Sequence, residues 1–600
     1  MNREIRNCQN CKTNFEIDAS DFKFYERIKV PPPTWCPECR IVRRMSVQNQ
    51  RALYKRKCDL CGNEMVTFFS PEARDTVYCQ KCWWSDNWDP FQYGLEYDFS
   101  KPFFAQFREL LDRVPWSALQ TVYTTMVNSE YCNIASYLKD CYLMFNSDYS
   151  EDCYYGTYVE RSKRSFDLYM ADYAEICYES NNLEKCYHVF YSSNCNNCID
   201  VYFSRNLRGC SKCFGCVNLS NKQYYIFNEP YSKEEYFRKL KQFDLGSRKT
   251  VLELRQQMAD FNLKFPRKFA EGFKNLNVSG DYVFNSKNTY LSYEMAESED
   301  CKFCQFLFIE TAKNCQDVTM WGGGLTNSYD SMGIGGGADQ IKFSFDCWAN
   351  LMNIEYCFDL LVMNSDLFGC SRLKNKKFCI LNRQYSEKEY NDLIPKIKKQ
   401  MDEVPYIDKK GRVYKYGEFF PPEIHSFAYN ETIAQEYFPL TKEEAIDQGF
   451  RWKDAQDKNY QITISSDQLA DNIKEVEDGI LGQIIGCEHF GKCKDQCSVA
   501  FKITPRELEF YRAENIPVPR LCSNCRHYER LRNNNPMRFY HRRCGCEGLQ
   551  SVKSKAQNSY QNVAQHFHGG DHCPNEFETT YAPERREIIY CEECYQQEII

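Results

Sequence analysis

The sequence predicts a multidomain, mainly β chain, in which paired cysteine knuckles at both termini flank two duplicated parallel β-solenoid (β-helix-like) domains with helical caps. Three observations carry this. Pairs of the form CxxC cluster at the two ends, a block of the middle recurs at a fixed offset, and short apolar and aromatic runs in the middle alternate with Asn, Ser, Asp and Lys turns. At 600 residues the chain has room for about four domains of ordinary size. Its 76 basic and 83 acidic side chains leave a net charge of −7, which excludes a uniformly nucleic-acid-coating protein but permits local basic patches. With 42 Phe, 43 Tyr and 8 Trp it can fill several cores and is not a disordered chain.

The chain starts Met-Asn-Arg-Glu-Ile-Arg-Asn-Cys, without an apolar leader, and holds no run of about 18 apolar residues. A cytoplasmic protein with no membrane partner is expected. In a reducing compartment the 35 cysteines should be metal ligands or small buried hydrophobes, not disulfides.

Residues 1–88 contain Cys8-x2-Cys11 followed by Cys36-x2-Cys39, then Cys58-x2-Cys61 followed by Cys79-x2-Cys82. Each CxxC places two thiolates on one knuckle and two knuckles close a tetrahedron, the arrangement Zn2+ favours. Residues 486–600 repeat the module. Adding 486 carries Cys11, Phe15, Phe24, Tyr25, Pro31, Cys36, Cys39, Arg40, Arg44, Arg56 and Cys58 onto Cys497, Phe501, Phe510, Tyr511, Pro517, Cys522, Cys525, Arg526, Arg530, Arg542 and Cys544 without a gap. Beyond Cys544 the offset becomes 512, so that Cys61, Cys79 and Cys82 map onto Cys573, Cys591 and Cys594 after a 26-residue insertion. The comparison predicts four structural zinc sites: Cys8/Cys11/Cys36/Cys39, Cys58/Cys61/Cys79/Cys82, Cys493/Cys497/Cys522/Cys525 and Cys544/Cys573/Cys591/Cys594. Cys493 is expected as the first thiol of its set, in a CxxxC. The insertion leaves Cys546, His566, His568 and His572 as spare candidates: Cys546 is an alternative to Cys544, and the histidines are expected to decorate an exposed loop.

The first half of each module, a cysteine pair, an acidic helical stretch ending Phe-Tyr, a Pro-x-Pro and Cys-x2-Cys-Arg, resembles the bacterial probable zinc-ribbon domain family over about 35 residues, twice. The second half, CxxCGxE followed by PE and a YCxxC, is similar to short zinc ribbons of other bacterial proteins. As a whole, ribbon pairs around a Cys- and Tyr-rich repeat resemble proteins of candidate-phyla bacteria. The resemblance implies zinc and a cytosolic location, and supplies no activity or catalytic residue.

Residues 89–129 read as a helical linker, with a helix over 101–113. The middle is a duplication: Phe214-Gly215-Cys216, Asn221-Lys222, Tyr231-Ser232 and Glu235-Tyr236 recur 154 residues later, and Ser150-Glu151-Asp152-Cys153 recurs as Ser298-Glu299-Asp300-Cys301. Solenoids are expected over 130–229 and 280–383. Cysteine pairs such as Cys132/Cys153, Cys177/Cys198 and Cys195/Cys216 are 21 residues apart, which suits one coil of a parallel solenoid and an inward cysteine ladder. All ten cysteines from Cys132 to Cys216 also lie on a three-residue grid, which that coil does not explain. A serine at Cys186 is expected to leave a hydroxyl without an assured partner, costing about 1–3 kcal/mol. The Gly-rich stretches at 322–324 and 333–337 lack the Lys-Ser/Thr of a phosphate loop and read as tight turns. Ser232 with Glu235, and Ser386 with Glu389, are capping boxes that open helical caps within 230–279 and 384–485. Residues 248–260 read as a further helix, and Thr441 opens another in the otherwise partly structured connector over 405–485.

No convergent acid, base or nucleophile is evident, so a non-enzymatic scaffold or interaction protein is expected. From Arg40 to Lys57 the chain is basic without an acid, and the copy is basic too. Arg40, Arg43, Arg44, Arg51 and Arg56, with Arg526, Arg530 and Arg542, are therefore candidate contacts to nucleic-acid phosphates, a protein partner being the alternative. One competing reading is a β-helix carbohydrate-active enzyme using Asp152, Asp167, Asp172 and Asp200. Another is a redox or iron–sulfur protein using Cys195/Cys198, Cys213/Cys216 and Cys301/Cys304 with Cys210. Zinc storage is a third.

Overall fold

The computed structural model describes residues 3–308, 311–454, 460–548 and 560–599. The chain divides into two compact units, each discontinuous in sequence. One joins Met1–Leu119 to Ala270–Lys453, and the other joins Gln120–Phe269 to Asp454–Ile600. Each unit holds one solenoid and one terminal module, and in each case the two pieces are distant in sequence. The N-terminal module belongs with the second solenoid, and the C-terminal module with the first.

Both solenoids are stacks of short parallel strands, as the sequence predicts. The coil is twelve residues long, not 21: Phe145 pairs with Thr157, Phe166 with Tyr178 and Arg205 with Val217. The reason lies in the backbone. Through the first solenoid every third residue adopts the left-handed conformation, as at Tyr137, Asp140, Leu143, Asn146, Tyr149 and Asp152. Twelve residues therefore make four short sides and four corners. All inward positions share the same three-residue grid, so cysteines 21 residues apart fall on it without being neighbours in the stack. Apart from Cys132, each solenoid cysteine directly follows a left-handed residue, which points its thiol inward.

Left-handed corners are costly for residues with a β-carbon, about 1–2 kcal/mol each. Asn and Asp tolerate them best and offset the cost by bonding between coils. Asn182 donates to Asn194 at 3.0 Å, Asn206 to Asn218 at 2.8 Å and Asn288 to Asp300 at 2.9 Å. In the second solenoid the coil lengthens to thirteen, with Met332 opposite Phe345 and Phe345 opposite Phe358. Glycine takes several of these looser corners, among them Gly322 and Gly336, so the Gly-rich stretches are turns. A β-carbon on Gly336 would come 2.6 Å from that of Ala349.

The predicted helices form at Phe103–Arg113, Lys233–Leu240, Arg248–Asn262, Glu387–Glu403 and Lys442–Asp447. Ser232 and Ser386 cap theirs, each accepting the backbone N–H three residues on. A reversed strand ends each stack: Glu229–Pro230 pairs antiparallel with Gln223–Ile226, and Arg383–Gln384 with Lys377–Ile380. That turns the open edge back on itself.

The interior is narrow, and small side chains fill it. Cys141, Cys153, Cys177, Cys186, Cys195 and Cys198 are buried beside Ala174, Val189 and Leu207. Ser150 and Ser162 stand at equivalent positions; Ser150 Oγ donates to the Asp148 carbonyl at 3.0 Å and accepts from the Ser162 N–H at 3.1 Å. Cys186 Sγ lies 3.5 Å from the Glu184 carbonyl and 3.3 Å from that of Cys195. A serine hydroxyl there would find an acceptor, contrary to the expectation from sequence. Cys186→Ser should therefore cost less than about 1 kcal/mol, whereas Cys186→Leu overpacks the stack and costs about 1–3 kcal/mol. Urea unfolding followed by circular dichroism checks the order; equal losses would contradict the geometry.

Candidate metal centres

Four groups of four cysteines bring their sulfurs within 4.8 Å of one another: Cys8/Cys11/Cys36/Cys39, Cys58/Cys61/Cys79/Cys82, Cys487/Cys497/Cys522/Cys525 and Cys544/Cys573/Cys591/Cys594. Each group could hold a metal ion. Neighbouring sulfurs such as Cys11–Cys36, Cys61–Cys79, Cys522–Cys525 and Cys573–Cys591 are 3.5 to 3.9 Å apart. Two thiolates each about 2.3 Å from a tetrahedral zinc would be about 3.8 Å apart. The local fold makes each knuckle. The hairpin Glu4–Asn7/Asn14–Ile17 presents Cys8 and Cys11, and Tyr54–Lys57/Glu64–Thr67 presents Cys58 and Cys61. Lys12 and Gly62, both left-handed, close these knuckles by donating to the Cys8 and Cys58 carbonyls. Cys36 and Cys79 open the helices Pro37–Met45 and Gln80–Trp83, where their backbone N–H groups meet Cys8 and Cys58 sulfur at 3.2 Å.

In each tetrad at least one sulfur is favoured as the thiolate: Cys8, Cys58, Cys522 and Cys591 are lowered, whereas burial and thiol neighbours raise most of the others. The Cys544 thiol and nearby backbone N–H groups outweigh burial and bring Cys591 down to about 5. At Cys58, burial opposes ionisation, yet the N–H groups of Cys61 and Cys79 bring it to about 7. A thiolate is the form that binds metal.

One ligand set differs from the sequence expectation. Cys487 occupies the place of Cys8: the Cys522 N–H donates to its sulfur at 3.3 Å, as Cys36 does to Cys8. The gap-free offset carries Cys8 onto Lys494, beside Cys493. The first hairpin of the C-terminal module, Ile485–Gly486/Ala500–Phe501, has a longer loop that separates Cys487 from Cys497 by ten residues instead of three. Cys493 remains close, 3.7 Å from Cys525. The surplus cysteine was the available signal, since five thiols precede and include Cys525 for four positions. In the last set Cys544 is a member as expected. Cys546 does not displace it but groups with His566, His568 and Cys594. Residues 549–559 of the insertion lie outside the described residues.

The arginines expected to face phosphate are a second correction. Arg40, Arg43, Arg44, Arg51, Arg526 and Arg530 are all buried, and Arg56 and Arg542 are half-buried. The helix Pro37–Met45 lies on the second solenoid. Arg40 Nη2 meets Asp317 at 2.7 Å, Arg43 meets Asp330 at 3.0 Å and Glu418 at 2.9 Å, and Arg44 Nη1 bridges Asp317 at 3.2 Å and Asp330 at 2.8 Å. The helix Ser523–Leu531 repeats this on the first solenoid. Arg526 Nε meets Asp167 at 3.0 Å, and Arg530 Nη1 bridges Asp167 at 2.9 Å and Glu179 at 3.2 Å. In both units the bridging arginine spans acids on successive coils, each in a left-handed corner.

The correspondence extends to the flanking contacts. Arg40 and Arg526 donate to the carbonyls of Trp35 and Leu521, and lie over the rings of Phe303 and Tyr155. Tyr25 packs on Tyr329, and Tyr511 on Tyr178. Arg43 has no counterpart; Glu529 stands in its place. Arg56 bonds Asp59, and Arg542 the Ala582 carbonyl. The basic character shared by the copies thus serves docking.

The carboxylates considered for catalysis are each engaged. Asp167 lies in the clamp, Asp152 bonds Arg506, Asp172 bonds Arg161, and Asp200 bonds His188 and Lys212. The solenoid CxxC thiols point at carbonyls two residues back, Cys195 at Ser193, Cys198 at Asn196, Cys213 at Ser211 and Cys301 at Glu299.

No family model and no curated protein matches the chain. A solved structure from Desulfovibrio desulfuricans G20, provisionally described as an acetyltransferase, is similar over 48% of this chain and 85% of its own. At 11% identity and a TM-score of 0.10, the likeness carries no argument. Among the described residues no helix is long and apolar enough to cross a membrane.

Removing one partner of a buried ion pair strands the other, at about 3–5 kcal/mol. Arg44→Ala and Arg530→Ala should each cost that much, and Arg56→Ala far less. Denaturant melts with intrinsic fluorescence test this; equal, small losses at all three would contradict the clamp.

Proposed function

We propose that the chain is a non-enzymatic, zinc-binding scaffold of the cytoplasm whose partner is a protein. The observation that carries the reading is the buried arginine clamp. The motif most suggestive of nucleic-acid binding is spent on fastening each terminal module to a solenoid. Zinc is the metal of choice for the four tetrads because four-thiolate sites with these knuckles suit it, and the zinc-ribbon resemblance points the same way. The metal then acts structurally: in the tetrads that include Cys36 and Cys522 it anchors the start of the helix that carries the arginines. The engaged carboxylates and the inward thiols give neither the glycosidase nor the redox reading any support.

The outer surface of the coils is open to a partner. Tyr137 and Tyr149 stack on one corner of the first solenoid, ring centroids 4.7 Å apart, and both are more than half exposed. Arg161 and Tyr173 continue the same column, the guanidinium over the ring. Aromatic side chains with a polar edge supply contact area at low entropic cost, which suits a protein partner. Isolation of the tagged chain from its native cell, with and without nuclease, tests the reading. Bound protein should survive nuclease and fall away when Tyr137, Tyr149 and Tyr173 are changed to Ala. Capture abolished by nuclease would replace it with a nucleic-acid partner.

A further inference from the structure

The 26-residue insertion of the C-terminal module builds something its N-terminal copy lacks. Between Cys58 and Cys82 there is no histidine and no additional cysteine. Between Cys544 and Cys594 the insertion adds Cys546, His566 and His568, whose ligand atoms lie with Cys594 Sγ within 4.8 Å of one another. The histidines do not simply decorate a loop: Cys546 and His566 are buried, and His568 is half-buried.

Each ring is oriented for ligation. His566 Nδ1 lies 3.3 Å from Cys546 Sγ, and its Nε2 lies 3.0 Å from the Glu598 carboxylate. That carboxylate also accepts from the N–H groups of Val563 and Ala564 and from the Tyr560 hydroxyl. An acceptor so committed places the ring proton on Nε2 and leaves the Nδ1 lone pair facing the sulfur. His568 is arranged the other way round. Its Nδ1 donates to the Asp571 carbonyl at 2.6 Å, leaving Nε2 3.3 Å from Cys594 Sγ. Cys546 Sγ accepts from Asn562 Nδ2 at 3.1 Å, and the Tyr590 hydroxyl holds Asn562 from behind. An outer layer that fixes tautomers and feeds hydrogen bonds to sulfur is characteristic of a metal centre.

We propose that Cys546, His566, His568 and Cys594 hold a fifth metal ion, and that Cys594 bridges it to the ion of the Cys544/Cys573/Cys591/Cys594 tetrad. Two thiolates and two imidazoles are a tetrahedral set for zinc. The inference rests on the zinc reading of the tetrads and adds a two-metal centre to it. With all four positions filled by the protein there is no open site for substrate, so the centre is structural. It pins residues 560–573 onto the helix Glu592–Ile599.

The test uses the full chain purified with Zn2+ as the only added metal. Elemental analysis should give five zinc ions per chain, falling to four in the His566→Ala/His568→Ala variant. A second measurement needs no variant. After exchange with 113Cd, the spectrum should contain one pair of cadmium signals split by mutual coupling through the Cys594 sulfur. Four zinc ions in both the natural chain and the variant would overturn the fifth site, and five zinc ions without cadmium–cadmium coupling would overturn the bridge. Two zinc ions or fewer would instead reject the tetrads themselves.

Discussion

Everything distinctive about this protein depends on burying arginine. Arg40, Arg43 and Arg44 in one unit, and Arg526 and Arg530 in the other, lie in an interior where an unpaired guanidinium would be prohibitive. Each finds a carboxylate at a solenoid corner, and Arg44 and Arg530 each bridge acids of two successive coils. Because a bridging arginine must reach both acids at once, the helix bearing it can sit in one position only. Replacing such a cluster with apolar residues is often neutral for stability. The ion pairs join each module's arginine helix to two particular coils. The helix in turn starts at a cysteine of a four-thiol group that could hold a metal, so thiol geometry, helix position and ion pairing form one chain of constraint.

Duplication explains why the constraint appears twice. Arg40 and Arg44 match Arg526 and Arg530, and the acids Asp317 and Asp330 match Asp167 and Glu179. The pairing joins the first module to the second solenoid and the last module to the first solenoid. Each unit is thus assembled from segments far apart in sequence. A pairing of this kind cannot be read from either repeat alone, since the arginines and their acids lie in different repeats. It also accounts for the basic segments, whose local composition pointed to phosphate because their acidic partners lie hundreds of residues away.

The fold class, both modules, the solenoid duplication and the helical caps were legible because each is written in local spacing. Fifteen of the sixteen tetrad thiols, all those of the first, second and fourth tetrads and Cys497/Cys522/Cys525, follow from CxxC pairs alone or from the repeat. Cys487 did not, because a longer hairpin loop moved it off the common offset. The coil length of twelve is hidden in the sequence for a related reason. The three-residue grid of cysteines was visible, but its cause is a left-handed residue at every third position, occupied by Tyr, Lys, Leu and Met as well as by Asn and Asp. No residue type announces that conformation. The Cys546–His566–His568 group was visible only as spare ligands, since its members are brought together by the fold of the insertion against the final helix.

The central claim is that metal in the tetrads positions the arginine helices, and through them protects the solenoid face. Hydrogen–deuterium exchange of the full chain, metal-loaded and chelator-stripped, tests it most directly. The account predicts that stripping deprotects the modules together with Phe166–Glu175 and Gln316–Trp321, the strands that carry Asp167 and Asp317. The last parallel strands before the caps, Gln223–Ile226 and Lys377–Ile380, should keep their protection. Modules that lose protection while both clamp-bearing strands remain unchanged would contradict it.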